Sequence, residues 1–139
     1  MKPKIYYNNV KFRLGRTKDI KDWLVKVIRE EKWEPGDLSF VFTGDEEMIN
    51  INKEFLQHDY ATDVISFGKN HREKINGEIY LGIDTIRRNA RKYNVTLKQE
   101  ILRVMVHGVL HIIGYDDIDG NDMKEMRKKE EYYMEKFGE

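Results

Sequence analysis

The chain has 139 residues, 40% hydrophobic and 36% charged, with 25 Lys+Arg against 25 Asp+Glu and no cysteine; this length suits one domain, 1–139, that buries about two-thirds of its unfolded surface. The charge balance removes any whole-molecule argument for a nucleic-acid partner, and the lack of cysteine excludes disulfides, thiolate metal sites and a cysteine nucleophile, so a metal would have to be held by His, Asp or Glu. No apolar run approaches the roughly 18 residues that cross a bilayer, and the start MKPKIYYNNVKF has neither an apolar h-region nor a small-residue cleavage site, so no membrane partner and a cytoplasmic location are expected.

A first strand is expected at 5–10. Thr17 reads as an N-cap before Ile20, Trp23, Leu24, Val27 and Ile28, whose i, i+3, i+4, i+7, i+8 spacing makes one apolar helix face. That helix is expected to stop at the turn signal Glu34-Pro35-Gly36. Leu38, Phe40 and Phe42 then alternate with Ser39, Val41 and Thr43, the pattern of a half-buried strand. Thr43 and Glu46 have the spacing of a capping box for a short helix to about Phe55.

The β-branched and aromatic segment 61-ATDVISF-67 predicts a strand, and Ile79, Leu81 and Ile83 alternate along the next, with Gly77 at its entrance. Asp84 is expected to cap a helix to about Tyr93, with Asn94 as its left-handed stop. The cations of that helix, Arg87, Arg88, Arg91 and Lys92, are read as a face paired with acidic neighbours in preference to an RNA backbone patch. Thr96 and Gln99 form a capping box for a helix over 97–113. Its apolar residues surround most of the circumference, which marks a buried central helix, and its remaining face carries Arg103, His107 and His111. In 116-DDIDGND-122 the glycine spacing does not fit a calcium loop, and the run is read as the cap of a last helix over 121–137 that packs through Met123, Met126, Tyr133 and Met134. The fold class is α+β, a small mixed β-sheet packed with helices.

The chemistry lies in 107-HGVLHIIGYDD-117. Histidines at i and i+4 project from one side of a helix, so both imidazoles can reach one ion; taken alone, the pair suits hydrogen-bonded core-edge histidines as well. Gly114 adds a second signal, because a glycine there can end the helix in the left-handed conformation and send the chain back across its end, bringing Asp117 to the histidines. The resulting H-x3-H-x5-D pattern puts the third ligand ten residues after the first, as in the zincin pattern H-E-x-x-H-x-x-G-x-x-H. The general-base glutamate of that pattern is replaced by Gly108, which argues against a peptidase-like metal hydrolase. Three protein ligands leave a position open, the arrangement of a hydrolytic site, and the donor set favours zinc while also suiting iron or manganese.

These residues resemble the YbeY family of bacterial endoribonucleases, whose signature is H-G-x-L-H-L-x-G-Y-D-H. The resemblance takes in Asn52, 61-ATDVISF-67, 77-GEIYLGI-83, Met126 and Glu130 or Glu131. It implies a metal-dependent endoribonuclease that cuts single-stranded RNA in ribosomal RNA maturation and ribosome quality control, with the small ribosomal subunit as partner and no DNA. His107 and His111 match the first two ligands, Asp117 stands where the family has its third histidine, and Asp116 matches the family's Asp as a neighbouring ligand or orienter. Leu56 stands where the family has an arginine, so Arg103 becomes the candidate cation for transition-state charge. These two departures leave a non-catalytic ribosome assembly factor as the alternative.

Overall fold

Four strands and five α-helices make up the computed structural model, which describes residues 1–58 and 60–137. They are β1 (Lys4–Tyr7), α1 (Thr17–Glu30), β2 (Glu34–Thr43), α2 (Asp45–Ile51), β3 (Val64–Gly68), β4 (Lys74–Gly82), α3 (Ile83–Lys92), α4 (Leu97–Ile113) and α5 (Gly120–Glu135), with a single π-helical turn, Asn52–Leu56, continuing α2. The sheet order is β1-β2-β4-β3. β1 and β4 both run parallel to β2, and β3 runs antiparallel to β4, so the sheet is small and mixed as expected.

Period-2 alternation turns Leu38, Phe40 and Phe42 of β2 and Ile75, Ile79 and Leu81 of β4 into one core, closed by the apolar faces of α1, α4 and α5. A smaller cluster of Met48, Ile51 and Ile65 forms where α2 packs on β3. Helix α4 is buried nearly all round, and its N-terminus has the expected capping box: Thr96 Oγ1 accepts from Gln99 N at 3.0 Å, and Gln99 Oε1 from Thr96 N at 2.9 Å. Gly108 lets this helix touch the sheet. A Cβ there would lie 2.9 Å from Ile79 Cγ2 and 3.2 Å from Ser66 Oγ, so the position that carries glutamate in zincins has no room here even for a methyl group.

Helix starts differ from expectation in an instructive way. Thr17 is the first helical residue of α1, and the N-cap is Arg16, in the left-handed region at φ 53° with its Nε 2.9 Å from Asp19 Oδ2. α1 ends earlier than predicted, because Lys32 takes φ 70° and Trp33 N donates back to Ile28 O at 3.0 Å. Pro35 and Gly36 therefore lie inside β2, at a register shift between Pro35 and Leu38. Gly36 is needed there because its Cβ would sit 2.3 Å from Asn76 Oδ1, the atom that accepts from Asp37 N at 2.7 Å. A turn signal in sequence became a β-bulge.

Thr43 does not cap α2 either. Its hydroxyl donates to Asn8 O at 3.3 Å, the N-cap is Gly44, and the oxygen that receives Asp45 N, at 3.0 Å, is Asp84 Oδ2. Asp84, expected to cap α3, lies within that helix and caps its neighbour. The same junction carries the bidentate pair of Arg88 with Asp45, both contacts at 3.0 Å, so this member of the basic face is paired as predicted. α2 stops at Ile51, and the π-turn ends at Gln57 with φ 57°. Asn94, at φ 55°, ends α3 as expected. Gly77 sits within β4 and not at its entrance; its φ is 151°, and a Cβ there would lie 2.1 Å from Phe67 O. Asp119 caps α5, accepting from Asp122 N at 2.8 Å; Met126 and Tyr133 pack inward, but Met123 is 52% exposed. No helix among the described residues is long and apolar enough to cross a membrane.

One buried carboxylate ties three elements together. Glu31, just past α1 and only 8% exposed at its side chain, accepts from Tyr115 Oη at 2.6 Å, from Lys129 Nζ at 3.1 Å and from the Tyr133 hydroxyl. Burial alone would raise its pKa, but these donors outweigh it and hold the group below its ordinary 4.5. A depressed carboxylate stabilises the fold above its unfolded pKa, and that contribution is lost as pH falls through the folded value. Glu31→Gln is therefore expected to cost about 1–3 kcal/mol at neutral pH, from charge-assisted bonds lost in partial burial. The gap from the parent should narrow in denaturant titrations as pH drops below about 4.5. A gap that stays constant from pH 7 to 3 would show that the charge is not what matters.

Candidate active site

The site is assembled on the one face of α4 that is not buried. Arg103 and His107 are half-buried and His111 is exposed, one turn apart in series, while the residues between them are sunk in the core. At the end of the helix Gly114 takes φ 131°, and its N–H and that of Tyr115 return to Leu110 O at 3.1 and 3.0 Å. The space around Gly114 is open, so glycine is needed for its dihedral and not for room. The chain then doubles back and brings Asp117 Oδ2 to 3.4 Å from His107 Nε2.

Both imidazoles are oriented from behind. His107 Nδ1 donates to Glu130 Oε2 at 2.7 Å, and His111 Nδ1 donates to Tyr115 O at 3.2 Å. With Nδ1 engaged on each ring, Nε2 is the nitrogen that each can offer to an ion, which is how metal-binding histidines are usually supported. Burial works against the His107 imidazolium, but Glu130, Asp117 and Asp63 outweigh it and push the His107 pKa up, so its surroundings favour positive charge. Among the described residues, no three His, Asp or Glu side chains are gathered closely enough to hold an ion. His107 and Asp117 meet, and His111 stands one turn beyond them. The donor chemistry still fits a divalent ion: nitrogen and oxygen atoms, correctly oriented rings, and an Asp117 that is 46% exposed on a surface loop.

Behind His107 lies a relay of charges. Glu130, at 3% exposure, also accepts from Arg103 Nη1 at 3.2 Å, and Arg103 Nη2 reaches Glu100 Oε2 at 2.6 Å, with Glu100 itself 2% exposed. Asp63, just before β3, comes within 3.8 Å of the same guanidinium. Burial alone would lower the Arg103 pKa, but Glu100 and Glu130 drive it up, so this group stays charged. The guanidinium proposed as a cation for the reacting phosphate is thus held by three carboxylates. Asp116 is exposed on the loop, and Leu56 is 45% exposed at the end of the π-turn.

Glu130 and Glu100 are the functional residues that the sequence reading passed over in mechanistic terms. A signal for Glu130 was present: it falls on the Met126–Tyr133 stripe of α5, where a carboxylate on an apolar face needs a buried partner. Glu100 lies at i and i+3 with Arg103 on the histidine side of α4.

Comparison with known proteins gives this architecture a context. The family model described as "Endoribonuclease YbeY" matches residues 6–138. Among curated proteins bearing that name, the one from Amoebophilus asiaticus is 42% identical over 96% of this chain and 92% of its own length. The one from Chloroherpeton thalassium is 44% identical over 78% of this chain and 77% of its own. The solution structure of TM1509 from Thermotoga maritima superposes with a TM-score of 0.66 at 29% identity, covering 96% of this chain and 87% of that one. With a family model matched from near one end to the other and relatives of this identity spanning both chains, the protein belongs to the endoribonuclease YbeY family.

Proposed function

We propose that this protein is a metal-dependent endoribonuclease that cleaves single-stranded RNA in ribosomal RNA maturation and ribosome quality control in the cytoplasm, with its ion held by His107, His111 and Asp117. The observation that carries the reading is the orientation of the two imidazoles, each with Nδ1 engaged and Nε2 available, beside a carboxylate 3.4 Å from one of them. Membership of a family whose curated relatives are named endoribonucleases supports the substrate class. The small ribosomal subunit is the partner that such a substrate implies.

His107, His111 and Asp117 would hold a divalent ion, zinc by the donor set, which would supply Lewis-acid chemistry and an acidified water for phosphodiester hydrolysis. The protein's own part is positioning. Glu130 fixes the tautomer of His107, and the Tyr115 carbonyl fixes that of His111. Arg103 acts as a positioning residue, holding Glu130 between itself and His107. Asp117 brings a negative charge that makes the site less electron-withdrawing than three imidazoles would be.

A short single-stranded RNA, incubated with protein purified without nickel chromatography, should be cut endonucleolytically. Cleavage should stop with chelator and return with stoichiometric zinc. Intact RNA in the presence of protein shown by elemental analysis to be metal-loaded would sink the reading.

A further inference from the structure

Just past the π-turn, two aromatic rings are exposed where they contribute nothing to either core cluster. His58 and Tyr60 stack with centroids 5.1 Å apart at an interplanar angle of 13°, and Tyr60 Oη lies 3.1 Å from His58 Nδ1. Tyr60 is 53% exposed and His58 is exposed. The neighbouring Phe55 and Leu56 are 58% and 45% exposed, so apolar surface is concentrated in one short loop. A solvent-facing loop of this kind ordinarily sheds such residues, because each exposed ring costs hydration free energy and gains no packing.

The loop is also held firmly. Asn52, fully buried, donates through Nδ2 to Tyr60 O at 2.7 Å and to Thr62 Oγ1 at 3.2 Å, and its carbonyl receives His58 N at 3.0 Å. One residue at the start of the π-turn thus anchors both ends of the aromatic pair, His58 through its backbone carbonyl and Tyr60 through its side chain. The same strand of chain runs on through Thr62 to Asp63, which lies 3.8 Å from the Arg103 guanidinium behind His107. The pair is therefore anchored at its backbone, open to solvent, and joined by a few residues to Asp63 beside Arg103.

We infer that the stacked His58–Tyr60 pair is a base-stacking platform that grips one unpaired nucleotide of the RNA substrate next to the site of cleavage; this rests on the endoribonuclease reading above. Every base has a π-face, so stacking holds single-stranded RNA without demanding a sequence. Two rings already stacked present an outer face at no further ordering cost, which favours binding. Lys53, exposed on the same π-turn, supplies a cation for the adjoining backbone. Where the family pattern carries an arginine at position 56, this chain has Leu56 and, four residues on, a ring. Its hold on RNA shifts from charge toward stacking.

The test uses the whole protein as purified and short single-stranded RNAs carrying one 2-aminopurine at successive positions, read by stopped-flow fluorescence before cleavage. One position should be quenched strongly on binding. A His58→Ala, Tyr60→Ala double variant should lose that quenching and bind about 5- to 150-fold more weakly. It should raise KM while changing kcat by less than about twofold. Tyr60→Phe, which keeps the ring, should retain both quenching and affinity, and melting temperatures should stay at the parent value because both side chains are exposed. If the parent cleaves RNA but the double variant binds it equally well, the platform is overturned while the endoribonuclease reading stands, and the loop is better read as a surface for another protein. If the parent neither binds nor cleaves RNA, both readings fall.

Discussion

If the proposed ion site stands, His107→Ala is expected to abolish RNA cleavage and the binding of stoichiometric zinc, with the fold retained. His107 is the centre of the site: its Nε2 meets Asp117 at 3.4 Å, and its Nδ1 is held by Glu130 at 2.7 Å. Loss of an outer partner of a metal-bound histidine typically lowers metal affinity or activity by about 10- to 100-fold, so loss of the ligand itself should exceed about 100-fold. The side chain is half-buried, and alanine is the best helix former, so secondary structure should survive. Glu130→Gln provides the graded control, because its amide can keep contact with His107 while weakening the hold on it. Elemental analysis and a cleavage assay read the two effects together. A His107→Ala protein that keeps stoichiometric zinc and parental activity would remove the ion from this end of α4.

Arg103→Ala is expected to produce the largest loss of stability of any single change near the site, about 3–5 kcal/mol. Glu100 and Glu130 are 2% and 3% exposed, and both lean on this one guanidinium, at 2.6 and 3.2 Å. Without it, Glu100 loses the guanidinium that holds it and Glu130 keeps only His107, so two buried carboxylates and the nearby Asp63 lose their shared cation. In a chain of this size about 3–5 °C of melting temperature accompanies each kcal/mol, so the transition should drop by roughly 10–20 °C. Adding Glu100→Gln to the variant removes one of the stranded charges and should recover part of the loss. If Arg103→Ala melts within a few degrees of the parent, the carboxylates find other partners and the relay is not structural.

Much of this was legible in sequence, and the parts that were share a cause. α4 and its capping box depend on contacts three or four residues apart, so Thr96, Gln99 and the all-round apolar pattern were enough to place both ends of the helix. The return of Asp117 was legible because Gly114 is a local backbone device. The misreadings concern partners distant along the chain. Asp84 has the sequence signature of a cap for its own helix, yet its oxygen serves Asp45, 39 positions earlier. Pro35-Gly36 has the signature of a turn, and only the arrival of Asn76 from β4 makes it a bulge. Arg103 could be placed on the histidine face, but a helical wheel cannot show that Glu130 from α5 reaches it. Local chemistry is written locally, and the second layer of the site is written in tertiary contacts.

The Asp84 cap also bears on how the molecule opens. Because the first turn of α2 receives its acceptor from α3, and Arg88 of α3 clasps Asp45 from the other side, α2 cannot complete its start until β4 and α3 have docked. Amide protons in α2 and the π-turn beyond it should therefore exchange with the free energy of that junction and not with that of an isolated short helix. The aromatic loop hangs from Asn52 at the far end of the same unit. Its placement then depends on a cap about twenty-five residues away in sequence as well as on Asn52, so the local anchor is itself part of a cooperative folding unit.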